Sequence, residues 1–407
     1  MDVVVVGAGQ AGLAVSYELA AAGVEHVVLE RGLVGQSWRD RWDSFCLVTP
    51  NATIELPGGR YRGDDPNGFL RKEELVGHFE EWASSFEAPV REGVAVVSLE
   101  LVDDRGFRLQ TSEGAFNARL VVVCTGAYQR PYRSAVVPPG RLAELDADDY
   151  KDEATLPPGK VLVVGSGQTG CQIAEELHEA GREVVLSCGR APWAPRRPGG
   201  RDVILWLIDA GFFDQSVADL RSPAARLVAN VQATGRNGGH DLNVRTLREA
   251  GVSLVGRLLG AEDGRLHFAS DLADSVAFGD ARYAELRRLI LDYCAQADLD
   301  PPELPDATRF DPAAPERLDL NDFGVILHTS GFRPDYRGWI HMDAFDEMGF
   351  PVQANGASLR IPGLYFCGVH FLRKRKSSLL MGVGEDAAIV AEAIATCHNR
   401  SSNKPAP

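Results

Sequence analysis

Cysteine is sparse and unpaired in this chain. Seven cysteines stand at 46, 124, 171, 188, 294, 367 and 397, with no C-x-x-C pair and no metal-ligand spacing. That excludes a local dithiol motif and a cysteine-built metal site, and the odd count speaks against a disulfide framework. No apolar run reaches the ~18 residues of a membrane helix, and the four residues Val3 to Val6 are too few for the apolar core of a secretory leader. The expected setting is reduced and cytoplasmic, with no membrane partner. Positive charge is also in deficit. Against 57 Asp and Glu there are 42 Lys and Arg, a net charge of −15, which disfavours a general affinity for nucleic-acid phosphates.

What remains is an ordinary globular composition, 45% hydrophobic and 24% charged over 407 residues, long enough for two or three packed units. The 42 glycines call for many tight turns, and two glycine clusters share one pattern. In "DVVVVGAGQAGLAVSYELAAAGVEHVVLER" the uniformly apolar Val3 to Val6 predicts a buried parallel strand. A helix follows with Leu13, Tyr17 and Ala20 on one side, Gly23 lies beyond its end, and a second strand, Val27 to Leu29, runs to Glu30. Gly7 makes the turn, Gly9 admits a pyrophosphate to the backbone, Gly12 permits close packing of helix on strand, and Glu30 can accept hydrogen bonds from a ribose. A lone GxGxxG is weak evidence, but this one is preceded by a strand, followed by a helix and closed by an acid 18 residues after Gly12.

The segment "KVLVVGSGQTGCQIAEELHEAGREVVLSCGR" repeats that layout around Gly165, Gly167 and Gly170, yet its second strand leads to Arg190 instead of an acid. A base at that point suits a ribose 2′-phosphate, with Arg196 and Arg197 as further candidates, so the second loop is expected to take NADPH. The alternative is that all three arginines are solvated surface residues.

Three more apolar strands, "RLVVVCTGA" at 119–127, "GVILHTSGF" at 324–332 and "GLYFCGV" at 363–369, end in glycine turns. Leu75, Phe79, Trp82 and Phe86 fall at helical spacing within 71–86, predicting a helix on a core with His78 exposed. Pro-rich stretches at 129–140, 154–159 and 298–317 mark crossings between units. The predicted architecture is α/β, with two Rossmann-like dinucleotide-binding domains, the NADPH domain inserted into the FAD domain. FAD-binding residues 1–155 precede an NADPH-binding domain at 156–325, and residues 326–407 return to the first domain with a helix from about Gly384 to Cys397.

Two dinucleotide sites are what a hydride transfer from a nicotinamide to a flavin requires. Gly7, Gly9, Gly12 and Glu30, "GQSWR" at 35–39, "CTG" at 124–126, the second glycine loop and "TSGF" at 329–332 together resemble the two-dinucleotide-binding-domain flavoproteins. Within them the chain is similar to the flavin-containing monooxygenase superfamily, in a YUCCA/CzcO-like single-chain subgroup. One departure stands out. The motif F-x-G-x-x-x-H-[SC]-x-x-[YFW] should precede the second loop, and aligning Tyr150 with its last aromatic puts Asp146 at the histidine, with no counterpart for its Phe and Gly.

The resemblance implies FAD held by Gly7, Gly9, Gln10, Ala11, Gly12, Glu30, Arg31, Gln36, Ser37, Trp38, Arg39, Thr125, Gly126 and Gly368. It implies NADPH held by Gly165, Gly167, Gln168, Thr169, Gly170, Arg190, Arg196, Arg197, Ser330 and Gly331. Asn51, His370 and Arg39 are the catalytic candidates. Trp38, Trp42 and Phe45 can equally be loop anchors, Asn51 a turn residue, His370 a structural histidine, and Asp146 a turn cap. The basic run Arg373 to Lys376 is read chiefly as a solvated face, with a positive patch for the reduced flavin, NADPH or an acidic substrate as the alternative.

The expected reaction is an NADPH- and oxygen-dependent oxygenation of a small molecule at nitrogen or another heteroatom through a flavin C4a-hydroperoxide. Baeyer–Villiger insertion into a ketone and NADPH-dependent flavin reduction or oxidation without oxygen transfer are the alternatives, and a homodimer is an open possibility. A dithiol reductase is disfavoured for want of a C-x-x-C pair, and a cofactor-sensing module is the remaining non-enzymatic class.

Overall fold

The computed structural model describes residues 2–402 apart from 103–105, 136, 138–141 and 229. Part of the Pro-rich crossing at 129–140 therefore lies outside the described residues. Val3–Val6 are all nearly inaccessible, and burying each valine contributes about 1.5–3 kcal/mol. That strand is central in a seven-stranded sheet, flanked in parallel by His26–Leu29 and Leu120–Val123. Leu364–Phe366 pairs in parallel with Leu120–Val123, so the chain's last third does return to the first sheet. The C-terminal helix, Val383–Ser402, packs on Gln10–Ala21, where Leu13 and Ala14 meet Ala387, Val390 and Ala391.

The second sheet is wholly parallel, in the order Ser253–Val255, Val184–Ser187, Lys160–Val164, Phe323–His328, Ala143–Asp146. Both strand–loop–helix units thus form as predicted, one per sheet. Ala143–Asp146, from the stretch expected in the first domain, pairs in the second sheet, and Phe323–His328 lies in that sheet entire. A short strand of mixed polarity, Ala-Glu-Leu-Asp, gave no apolar run to read.

The segment 200–320, least legible in the sequence, holds a short helix at Val203–Asp209, a chain of 3-10 turns and the 25-residue helix Leu272–Gln296. Trp206, Leu207, Tyr283, Ile290 and Cys294 form a core of their own with Met381, which brings this segment against the loop 370–381. The predicted helix at 71–86 is observed as Lys72–Ser85, with Leu75, Phe79 and Trp82 buried. His78 is not free on its surface, because its Nε2 bonds the Gly59 carbonyl at 2.8 Å.

Candidate functional site: two glycine loops and the junction between them

Each loop is built by a pair of glycines that cannot be replaced. Gly7 has φ +103°, and a Cβ there would meet the Cys124 carbonyl oxygen at 2.6 Å, while a Cβ on Gly12 would overlap the Gly7 carbonyl. Gly165, at φ +114°, and Gly170 repeat this against Thr329 and Gly165. The helices that follow, Gln10–Ala21 and Gln168–Glu179, have no side-chain cap and no acid in the first turn. The Val244–Ala250 helix, by contrast, is capped by Asn243. Two helix N-termini with their N–H groups uncommitted are anion sites suited to a pyrophosphate, so both loops fit the cofactors inferred for them.

Around the first loop, Glu30 is buried and accepts from Ala8 N at 2.7 Å and Gly32 N at 3.0 Å, which leaves lone pairs on its carboxylate for a ribose. Trp38 Nε1 donates to Gln10 Oε1 at 3.0 Å, and its ring stacks 6.4 Å from Phe79. Gln36 bonds Leu33 N and Asp40, while Arg31 and Ser37 are exposed. Thr125 and Gly126 lie at the turn after Leu120–Val123, tied by Gln129 Nε2 at 3.1 and 3.0 Å. A Cβ on Gly368 would meet Ala11 at 2.5 Å, so the last strand's turn presses on the loop.

The three catalytic candidates have different surroundings. Asn51 is buried, donating to the Asp65 carbonyl at 2.9 Å and accepting from Leu70 N at 2.7 Å, bonds that pin the loop 61–70. Arg39 is held by the Val34 carbonyl at 3.0 Å and by an ion pair with Glu80. His370 Nδ1 is sealed from solvent with no hydrogen-bond partner among the described residues. Burial, with the nearby charges of Arg375 and Arg226, pushes its pKa down to about 4.

Around the second loop the three arginines separate. Arg190 is exposed at the end of its strand, 5.9 Å from the Phe278 ring centre, with no ion pair among the described residues. Arg197 donates to the Gly238 carbonyl at 2.6 Å. Arg196, expected at the NADPH phosphate, is buried and committed to another partner. Both it and Asp202 are 2% exposed in an ion pair at 2.8 Å, and its guanidinium lies 4.6 Å from the Phe69 ring centre. Burial lowers its pKa against the pull of Asp202. Gln168 and Thr169 open the helix, and Ser330 Oγ donates to the Val164 carbonyl at 3.1 Å beside Gly331.

Two further expectations are revised. Asp146 is no turn cap alone: it lies on a strand beside His328 and pairs with Arg133 at 2.9 Å. The basic run is no solvated face. Lys374 and Lys376 share Asp214 and Glu385, and Arg373 holds Asp386 at 2.9 Å. Arg375 turns inward between Phe212 and Phe371. The sequence reading missed this inward turn, along with Arg226 and Ser378, because charge type says nothing of direction.

Residues 4–207, which span both loops, match the family described as pyridine nucleotide-disulphide oxidoreductase. The chain belongs to that family. That family's description is of a pyridine-nucleotide-dependent oxidoreductase, and the two glycine loops are the parts of the chain suited to dinucleotides. Over 95% of the chain and 96% of its counterpart it is 29% identical to an uncharacterized CzcO-like oxidoreductase of Geobacillus kaustophilus. It is also 29% identical to the indole-3-pyruvate monooxygenase YUCCA4 of rice over 45% of the chain and 46% of that protein. Among solved structures, a flavin-containing monooxygenase from Stenotrophomonas maltophilia shares the fold at TM-score 0.67 and 18% identity, covering 98% of each chain. The bacillithiol disulfide reductase of Staphylococcus aureus does so at TM-score 0.63 and 12% identity, again covering 98% of each.

Proposed function

We propose that this protein is an NADPH- and FAD-dependent monooxygenase that transfers one atom of molecular oxygen to a small molecule, at nitrogen or another heteroatom. The observation that carries the reading is the pair of glycine loops on two parallel sheets, each leading to an uncapped helix. The first loop, with Glu30, Trp38, Thr125, Gly126 and Gly368, holds FAD. The second, with Arg190 at the 2′-phosphate and Ser330 and Gly331 at the rim, holds NADPH. Bound flavin supplies the oxygen chemistry at its C4a carbon, and the chain's own part is to position the two nucleotides, exclude water and seat the substrate.

Cysteine placement supports this over disulfide reduction. Every described thiol except Cys397 is buried. Cys124 and Cys367 meet at the ends of neighbouring strands, but their mutual hydrogen bond, reinforced by burial, holds the Cys367 thiol well above its ordinary pKa. A thiol so held is a poor nucleophile.

The test is anaerobic reduction of the purified yellow protein by NADPH and by NADH, then mixing with ¹⁸O₂ and a panel of amines, sulfides and ketones. Faster reduction by NADPH and one labelled oxygen in a product are expected. Reoxidation that yields only hydrogen peroxide with every substrate overturns the oxygenase reading in favour of an oxidase or reductase, and a labelled ester from a ketone moves it to Baeyer–Villiger insertion.

A further inference from the structure

In the run Arg373 to Lys376, three cations are paired with carboxylates and one is not. Among the described residues no carboxylate lies within ion-pairing distance of Arg375. Its guanidinium rests 4.2 Å from the Phe212 ring centre and 4.9 Å from that of Phe371, with one bond to Gln215 Oε1 at 3.1 Å. Its Nε is sealed from solvent without a partner among the described residues. Burial pulls its pKa down to about 10, so it stays charged at neutral pH. A desolvated cation without a counter-charge is costly to the folded state, and a protein that keeps one has a use for an anion there.

The surroundings supply the rest of such a site. His370 Nδ1, Arg226 Nε and Ser378 Oγ are also sealed, without partners among the described residues. Arg226 gives its Nη2 to Asp346 at 2.7 Å and lies 3.5 Å from the Phe350 ring centre, so its own charge is matched. The cluster is fixed to the flavin side of the molecule. Gly368 packs on Ala11, and the Ser378 carbonyl accepts from Gln10 Nε2 at 3.1 Å. Phe212, Gln215 and Arg226 come from the segment 200–320, so the cluster lies where that segment packs against the loop 370–381.

We infer that Arg375, with His370 and Ser378, binds the carboxylate of an acidic substrate and thereby orients that substrate toward the flavin. This deepens the monooxygenase reading and rests on it. Aromatic walls from Phe212 and Phe371 beside a single cation fit a carboxylic acid with an apolar body.

The experiment uses the FAD-loaded full chain and needs no turnover. Acetate, benzoate and 3-phenylpropanoate are titrated against the flavin absorption spectrum beside their neutral amides, with the wild type, Arg375→Gln, Arg375→Lys and Lys374→Gln. Melting temperature and flavin content report whether each variant is intact. The wild type should bind at least one acid about tenfold or more tighter than its amide, as a charge-assisted bond gives. Arg375→Gln should lose that preference, Arg375→Lys should keep part of it, and Lys374→Gln should keep it all.

Equal binding of acid and amide, no binding of any acid, or an unchanged preference in Arg375→Gln overturns the inference. Other anions are told apart in the same series. Loss of FAD from a folded Arg375→Gln assigns the cation to the cofactor's phosphates. A shifted flavin midpoint potential with an unchanged acid preference assigns it to the reduced flavin, and one-for-one displacement of the acid by NADP⁺ assigns it to the nucleotide. A protein that takes up no FAD fails the functional reading itself, whereas one reduced by NADPH but indifferent to acids fails only this inference.

Discussion

At the scale of single residues, two glycines three positions apart have different reasons to be glycine. A Cβ on Gly12 would overlap the Gly7 carbonyl, whereas one on Gly9 would find only Ser37 Oγ at 3.9 Å. Gly12→Ala should therefore fail to fold or lose several kcal/mol. Gly9→Ala should melt as the wild type does without cofactor yet bind FAD at least tenfold more weakly, because its methyl group stands where a pyrophosphate must approach. Melting curves with and without FAD separate the two, and a Gly9→Ala protein with full affinity refutes the assignment. His370 makes a second residue-scale prediction. Its folded pKa, about 4, lies below the ordinary value of 6.5, so its contribution to stability is present above pH 6.5 and is lost as the pH falls toward 4. At about 1.4 kcal/mol per unit the loss is on the order of 3 kcal/mol. Denaturant unfolding of wild type and His370→Gln across that range should show a shallower acid limb in the variant, and identical limbs would contradict the burial of the ring.

At the scale of elements, the strand–loop–helix units were legible because each of their residues answers to local geometry: an apolar run, a turn that only glycine can make, an uncapped helix. The segment beyond each second strand was less legible. Three arginines beyond Val184–Ser187 were phosphate candidates by charge, Arg190 foremost by position, but Arg196 closes a buried pair with Asp202, while Arg190 is exposed beyond the strand end. Their substitutions should differ in kind. Arg190→Ala should raise the KM for NADPH tenfold or more, leave that for NADH nearly unchanged and spare stability, since a 2′-phosphate is the group proposed to meet it. Arg196→Ala should cost about 3–5 kcal/mol by stranding the Asp202 charge, with no change in nucleotide preference among the molecules that fold. Steady-state kinetics with both nucleotides, set beside thermal melts, decides the matter. Equal NADPH and NADH effects in Arg190→Ala would remove it from the phosphate site. Asn51 shows the same limit of reading from the other direction. Its residue type is compatible with chemistry, but its amide is drawn into holding the loop 61–70, a fact that depends on chain positions 14 and 19 residues away.

At the scale of the whole molecule, the boundary between the units was the part that the sequence hid, because the units are interleaved instead of strung together. Ala143–Asp146 joins the second sheet before the second glycine loop begins. More telling, Trp42 and Phe45, from the segment after the first loop, are buried in the second unit's core beside Tyr150, Val161 and Ile173. Tyr150 in turn bonds Glu176 of the second-loop helix at 2.8 Å, so the crossing between units is itself packed. No local periodicity marks such residues, since their partners lie over a hundred positions away. The consequence is thermodynamic. If the first unit supplies two aromatic side chains to the core of the second, neither should be stable alone, and unfolding should be one cooperative event. Trp42→Ala should cost about 3–5 kcal/mol and lower the melting of both units together, read by flavin fluorescence for the first and by far-ultraviolet circular dichroism for the whole chain. Two separated transitions in the variant would show that the units are joined only by their linkers. A single lowered transition would mean that the geometry between flavin and nicotinamide is maintained by a shared core, and that Arg375 and Phe212, on opposite sides of the junction, are held in place by that core.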